Sequence, residues 1–140
     1  MPARDAYHEQ AKRALEKAGW KITHDPYHIS WGGRDLFIDL GAEMIAAERD
    51  EKRIAVEIKS FFGRSEITEL ERALGQFVLY QTLLERRDPE RILYLAVPNV
   101  ILNNLFEDSI GKLLIEDGNA RVFGFDPETE EVTKWLPDQP

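Results

Sequence analysis

The sequence contains no cysteine, which excludes disulfides and thiolate metal centres. No apolar run approaches the length of a membrane span, and MPARDAYHEQ at the N-terminus lacks the apolar core of a secretion signal. A cytoplasmic protein is expected from these two absences. Positive charge is scarce: 18 Lys and Arg stand against 26 Asp and Glu, a net charge of −8. Free-standing nucleic-acid binders carry basic surfaces because phosphate neutralisation drives their affinity. The balance therefore argues against strong autonomous DNA binding, while leaving room for a local basic patch, a metal-bridged phosphate or a basic partner. There is no glycine-rich phosphate loop, since WGGRD lacks the pattern and following helix of a nucleotide site. His8, His24 and His28 do not make a zinc site: no cysteine joins them, and Pro26 prevents a helical i,i+4 pair. They are read as structural or surface residues.

The 140 residues, 43% hydrophobic and 31% charged, suit one core, and no repeat or linker divides them. Residues 1–140 are read as a single domain. RDAYHEQAKRALEKAGW has helical spacing, with Asp5 as its cap, Tyr7, Ala11, Ala14, Leu15 and Ala18 on one face, and Gly19 as its stop. WKITHDPYHIS carries β-formers around a His-Asp-Pro interruption, and WGG turns the chain into RDLFIDLGAE, read as one strand. MIAAERDEKRIAVEIKSF reads as a hairpin turning near Asp50. In GRSEITELERALGQFVLYQTLLERRDP, Ser65 caps a long helix that Pro89 ends, with Ile67, Leu70, Leu74, Phe77, Val78 and Leu84 as the core stripe. RILYLAVP is a buried strand, one or two short helices follow, and ARVFGFDPETEEVTKWLP is a strand, an acidic turn and a final strand. Trp20 and Trp31 are read as packing anchors. The order predicts a mixed α/β (α+β) domain with a central mixed β-sheet flanked by helices.

The stretch KRIAVEIKS holds the chemistry. On a strand Glu57 and Lys59 share one face, while Ile54, Val56 and Ile58 face a core. Such a pair alone is most often a solvated edge or a surface salt bridge. Asp39 lies eighteen positions upstream. If its segment runs beside this strand, two carboxylates, one ammonium and the Ile58 carbonyl converge. Those oxygens suit Mg²⁺, with Mn²⁺ as a substitute. Such a site keeps waters, one of which can attack a phosphodiester while Lys59 orients it or stabilises developing charge. A turn at Asp50 without a bulge would set Glu43 or Met44 opposite Glu57, whereas a bulge at Gly41-Ala42 would restore Asp39. Asp39 is the first choice and Glu43 the reserve. Gln76 and Tyr80, four apart, share a face of the long helix. On the first helix Glu9 faces away from the apolar stripe and His8 lies near its edge.

Asp39 followed by Glu57-Ile58-Lys59 resembles the core motif of the PD-(D/E)XK nuclease superfamily, although Ile38 stands where its proline would be. Gln76-x-x-x-Tyr80 is similar to the element of RecB-type members. YHEQAKRALEKAGWKITHDPY, RDLFIDLGAE, IAVEIKSF, ALGQFVLY, LYLAVP and LLIEDG together resemble the XisH family, the fdxN element excision controlling factor proteins of cyanobacteria, over nearly the whole chain. The resemblance implies a restriction-endonuclease-like core, a role in programmed DNA element excision, and an XisI-type partner. Under it, Asp39 and Glu57 hold Mg²⁺, Lys59 assists the water and Gln76 supports the site. Two rivals stand beside this: a nuclease fold kept as a non-catalytic regulatory or protein-binding subunit, and one half of a toxin–antitoxin-like pair. The sequence leaves a homodimer open.

Overall fold

Gly32 and Gly33 both adopt left-handed backbone (φ +58° and +75°), the conformation that a two-residue hairpin loop of type I′ requires. They join β2 (Tyr27–Trp31) to β3 (Arg34–Ile38), which form a two-stranded sheet of their own. A computed structural model of the chain describes residues 4–45 and 51–140. Before the hairpin come α1 (His8–Lys17) and β1 (Lys21–His24). After it come β4 (Leu40–Met44), β5 (Lys52–Ile58), α2 (Glu66–Arg87) and β6 (Arg91–Pro98). The short α3 (Asn99–Ile101) runs into a π-helical turn, Leu102–Phe106, and then come α4 (Ser109–Glu116), β7 (Val122–Asp126) and β8 (Glu131–Leu136).

The main sheet has six strands in the order β1-β4-β5-β6-β7-β8. Its centre, β5-β6-β7, is parallel, and the outer pairings are antiparallel. Helices cover both faces, so β5 and β6 are apolar on both sides. On one face Ala55, Leu93, Leu95 and Val97 pack with Leu70, Phe77 and Leu84 of α2 and with Ile29 and Ile38 of the small sheet. On the other, Ile54, Val56 and Ile58 pack with Ala11 and Leu15 of α1 and with Trp20, Phe123 and Phe125.

Several expectations need correction. RDLFIDLGAE is not one strand: it breaks at Asp39, with β3 in the small sheet and β4 in the large one. The first arm of the β4–β5 hairpin is therefore Leu40–Met44 and not the MIAAERD segment. Asp5 does not cap α1. Tyr7 is in the capping position without a side-chain bond, and Asp5 accepts the Tyr7 N–H at 2.9 Å. Ser65 does cap α2, accepting the Thr68 N–H at 3.2 Å. The buried stripe of α2 runs through Leu70, Ala73, Phe77, Tyr80 and Leu84, leaving Ile67 and Val78 47% and 58% exposed. Period 3.6 from Leu70 selects Ala73 and Tyr80, and Val78 is about 100° round the helix from Phe77. Trp20 is a core residue, but Trp31 lies at the surface beneath the Arg87 guanidinium, 4.5 Å from its ring centre. The acidic β7–β8 turn meets α1 of its own chain: Arg13 Nε donates to Glu130 Oε2 and Lys17 Nζ to the Thr129 carbonyl, each at 2.6 Å.

Two glycines have opposite surroundings. A Cβ on Gly41 would lie 2.9 Å from His24 Nδ1 and 3.0 Å from Tyr27 Cδ2, whereas one on Gly75, inside α2, would meet nothing within 4 Å. Gly41→Ala is expected to destabilise by about 1–3 kcal/mol through overpacking. Gly75→Ala is expected to stabilise by about 0.5–1 kcal/mol through helix propensity. Urea unfolding midpoints check both signs.

Candidate active site

The β4–β5 ladder pairs Leu40 with Val56, Gly41 with Ala55 and Glu43 with Arg53, without a bulge. One step further along this register, Asp39 comes level with Glu57. The turn expected near Asp50 lies outside the described residues. The irregularity expected at Gly41-Ala42 belongs to another pairing, β1 with β4, where the register shifts between Ile22 and His24. Glu43, the reserve, lies elsewhere, 3.6 Å from Arg91 and 3.9 Å from Arg53.

Asp39 and Glu57 interlock. The Asp39 N–H donates to Glu57 Oε1 at 3.3 Å, and the Ile58 N–H donates to Asp39 Oδ2 at 2.8 Å. The Lys59 N–H turns the other way, to the Ala96 carbonyl at 2.9 Å. Successive peptide groups of a strand point to opposite neighbours, so the Ile58 carbonyl is directed to the Asp39 side. Lys59 Nζ lies 3.5 Å from Glu57 Oε2. A cavity of about 160 Å³ opens here, lined by Asp5, Phe37, Asp39, Glu57, Ile58, Lys59, Gln76 and Tyr80. All four residues expected to be catalytic are thus brought to one notch.

Glu57 is only 6% exposed. Burial, and then the Asp39 charge, push its carboxyl up to about 8, against the partial relief from Lys59. Burial also raises Asp39, but the Ile58 N–H works against it. The two acids compete for one proton, and burial beside a second acid raises the proton affinity of Glu57 most. Tyr80 is pushed up to about 12 by burial and by the same two acids, so it is a neutral phenol. Gln76 Oε1 is buried and has no hydrogen-bond partner.

The donor set tests which ion this notch would take. Among the described residues no group of three or more His, Asp or Glu is arranged around one point. Two carboxylates and a main-chain carbonyl, with water for the remainder, are the donors of a hard cation such as Mg²⁺ or Mn²⁺, and do not make a zinc cage. With both acids ionised the cavity would carry more negative charge than Lys59 offsets, an excess that either a proton or a cation relieves.

Asp5 and Phe37 were missed as lining residues. Both Asp5 oxygens are engaged, one by the Tyr7 N–H and the other by the Ser60 N–H at 2.9 Å, so Asp5 ties the N-terminal segment to the end of β5. An acid three residues ahead of the helix looks like a cap, and nothing local announces the Ser60 contact. Glu9 is exposed and pairs with Arg4 at 3.0 Å, facing away as expected. His8 is buried against Asp25 at 2.8 Å, and His28 pairs with Asp35 at the surface.

A mixed six-stranded sheet flanked by helices, with an acid pair and a lysine at the end of a central strand, defines an α+β protein consistent with a nuclease-like core. The family model described as XisH protein matches residues 1–133, and the chain belongs to the XisH family. Its fold is similar to the crystal structure of an XisH family protein from Nostoc punctiforme PCC 73102, at 42% identity and TM-score 0.81, covering 94% of this chain and 98% of that one. It is equally similar to a fdxN element excision controlling factor protein from Anabaena variabilis, at 40% identity and TM-score 0.82, covering 95% and 99%. No curated protein matches the chain. Among the described residues no helix is long and apolar enough to cross a membrane.

A proton held by folded Glu57 but released by the unfolded chain makes stability fall as pH rises from the ordinary 4.5 to about 8. Glu57→Gln mimics the protonated form and removes that dependence. In metal-free buffer the variant is expected to gain on the wild type by at least about 1 kcal/mol between pH 5 and pH 8.5. Paired urea titrations at the two pH values measure it, and a gap that does not change with pH would contradict the raised proton affinity of Glu57.

Proposed function

We propose that this protein is a Mg²⁺-dependent phosphodiester hydrolase of PD-(D/E)XK type that acts on DNA in the excision of an element. Asp39 and Glu57 would hold the ion, and Mn²⁺ could replace it. The observation that carries this reading is the interlock of Asp39 with Glu57 beside Lys59 in a buried notch. When bound, the cation supplies charge neutralisation of the phosphate and a more acidic water.

The protein's own groups do the rest. Lys59 stands beside the acids, 3.5 Å from Glu57, where its ammonium stabilises negative charge growing on the phosphate oxygens. Gln76 Oε1, buried and free, accepts a hydrogen bond from the attacking water and so orients it. Water oxygen bonds to phosphorus and one P–O ester bond breaks. The leaving sugar oxygen takes one proton, and the other passes to solvent.

The role in excision draws on the name of the Anabaena variabilis relative, 40% identical over nearly the whole chain. The net charge of −8 supports an XisI-type partner that contributes DNA affinity. The same charge favours a second reading, a non-catalytic nuclease-fold subunit acting with that partner.

Plasmid and linear DNA incubated with Mg²⁺ or Mn²⁺, with and without an XisI-type protein, separate the two. Wild type is expected to cut. Lys59→Ala should lose about 10²–10³ in rate, and Glu57→Gln should fall below detection while remaining folded. No cutting of any DNA form by wild type would reject the hydrolase. Calorimetric Mn²⁺ binding that disappears in Glu57→Gln would count against the silent subunit.

A further inference from the structure

A second depression, of about 420 Å³, adjoins the notch and shares Lys59 and Gln76 with it; Arg72, Gly75 and Leu79 complete its walls. Lys59 and Arg72 are the charged residues lining it, so both charged groups on its walls are cations, each with an acid nearby: Glu57 at 3.5 Å and Glu69 at 3.7 Å. Gly75 lies in the middle of a 22-residue helix, where glycine is a poor helix former, and the space over its Cα is open. Arg72 precedes Gln76 by four residues, so it stands about 6 Å, just over one turn, along α2 from the notch. Phosphates follow one another at about 3.4 Å of axial rise along a strand. A phosphate one or two nucleotides from the notch therefore falls within reach of Arg72.

We propose that the Arg72–Gly75–Leu79 face of α2 seats the DNA strand that flanks the phosphate in the notch. This rests on the reading of the notch as a phosphodiester site. Arg72 takes the flanking phosphate, the missing side chain at Gly75 admits the sugar–phosphate chain, and half-exposed Leu79 packs against a sugar or base. Arg72 is 72% exposed, and its partner is Glu69 at 3.7 Å. Solvent-exposed pairs of that kind hold weakly, and a phosphate forms the stronger charge-assisted bond. Glu71 on the same helix is exposed but does not line the depression.

The test measures binding of a short labelled DNA strand, and of its duplex, by fluorescence anisotropy with Ca²⁺ in place of Mg²⁺, using the full chain. Gly75→Gln and Arg72→Gln are each expected to weaken binding about tenfold, and Arg72→Gln to lower the log–log salt slope by about 1. Gly75→Gln should melt no lower than wild type, which separates a blocked track from a damaged fold. Lys112→Gln, which removes the same charge from a different depression, should stay within about twofold. Wild-type affinity in both α2 variants would overturn the track even if the enzyme cuts DNA. So would failure of wild type to bind either DNA form, which would leave the face to a protein partner. Binding lost in both variants, with no cleavage by wild type, would uphold the track and refute the hydrolase.

Discussion

Two carboxylates pressed together away from water repel each other, and the structure is organised around the means of holding them there. Each acid accepts a main-chain amide from the segment that carries the other or lies next to it: the Asp39 amide goes to Glu57, and the Ile58 amide to Asp39. Asp39 is also the residue at which the chain leaves the small β2–β3 sheet and enters the large one. At that step its N–H has lost one ladder and not yet joined the next. A buried amide without a partner is costly, and the Glu57 carboxylate fills the gap. The bond that orients the acid is thus the bond that lets one sheet end and the other begin.

Much of this was legible in local pattern. The long helix, its Ser65 cap, the doubly buried β6 and the shared face of Gln76 and Tyr80 follow from hydrophobic period and capping chemistry, which act over a few residues. Pairing register does not. The segment between β4 and β5 is a charged run without glycine, proline or Asn-Gly, so no residue in it marks the turn. Placing the turn at Asp50 moved Glu57 four places away from Asp39, and a bulge seemed necessary. The break at Asp39 was hidden for a related reason. Leu36, Phe37, Ile38 and Leu40 surround it with strand-forming residues, and only the split between two sheets reveals it. Asp5 depends on an amide 55 residues away, which no local pattern encodes.

The net charge of −8 looks hostile to a phosphate substrate until the acids are located. Glu130 is engaged by Arg13, Glu107 by Lys134, and Asp25 by His8, Lys12 and Arg4. Asp88 holds the buried Arg91, whose guanidinium also bonds the Ile54 carbonyl and stacks on Tyr27. Much of the acidity is committed to pairs that fasten one element to another; pairing leaves the net charge at −8, but beyond a Debye length the field of the remaining acids is screened. What a ligand feels at the end of β5 is set by the nearest groups: two acids competing for one proton, one lysine beside them and one arginine a helical turn away. Total charge bears on solubility and partner choice, and local arrangement on chemistry.

That local arrangement is hard to explain as a folding device. Ala55, two residues before Glu57 on the same face of β5, is fully buried and apolar, as are its neighbours across β6. An apolar side chain at position 57 would leave the Asp39 N–H without its acceptor, but a glutamine would keep that bond and carry no desolvated charge. The strand instead ends in an acid with high proton affinity, an ammonium and a second acid. Proton and divalent cation are two ways of offsetting the same excess negative charge, and a cation does so without removing the charge from the oxygens. Folding asks for a hydrogen-bond acceptor at position 57 but not for a charge, and that surplus charge is what the proposed metal site would use.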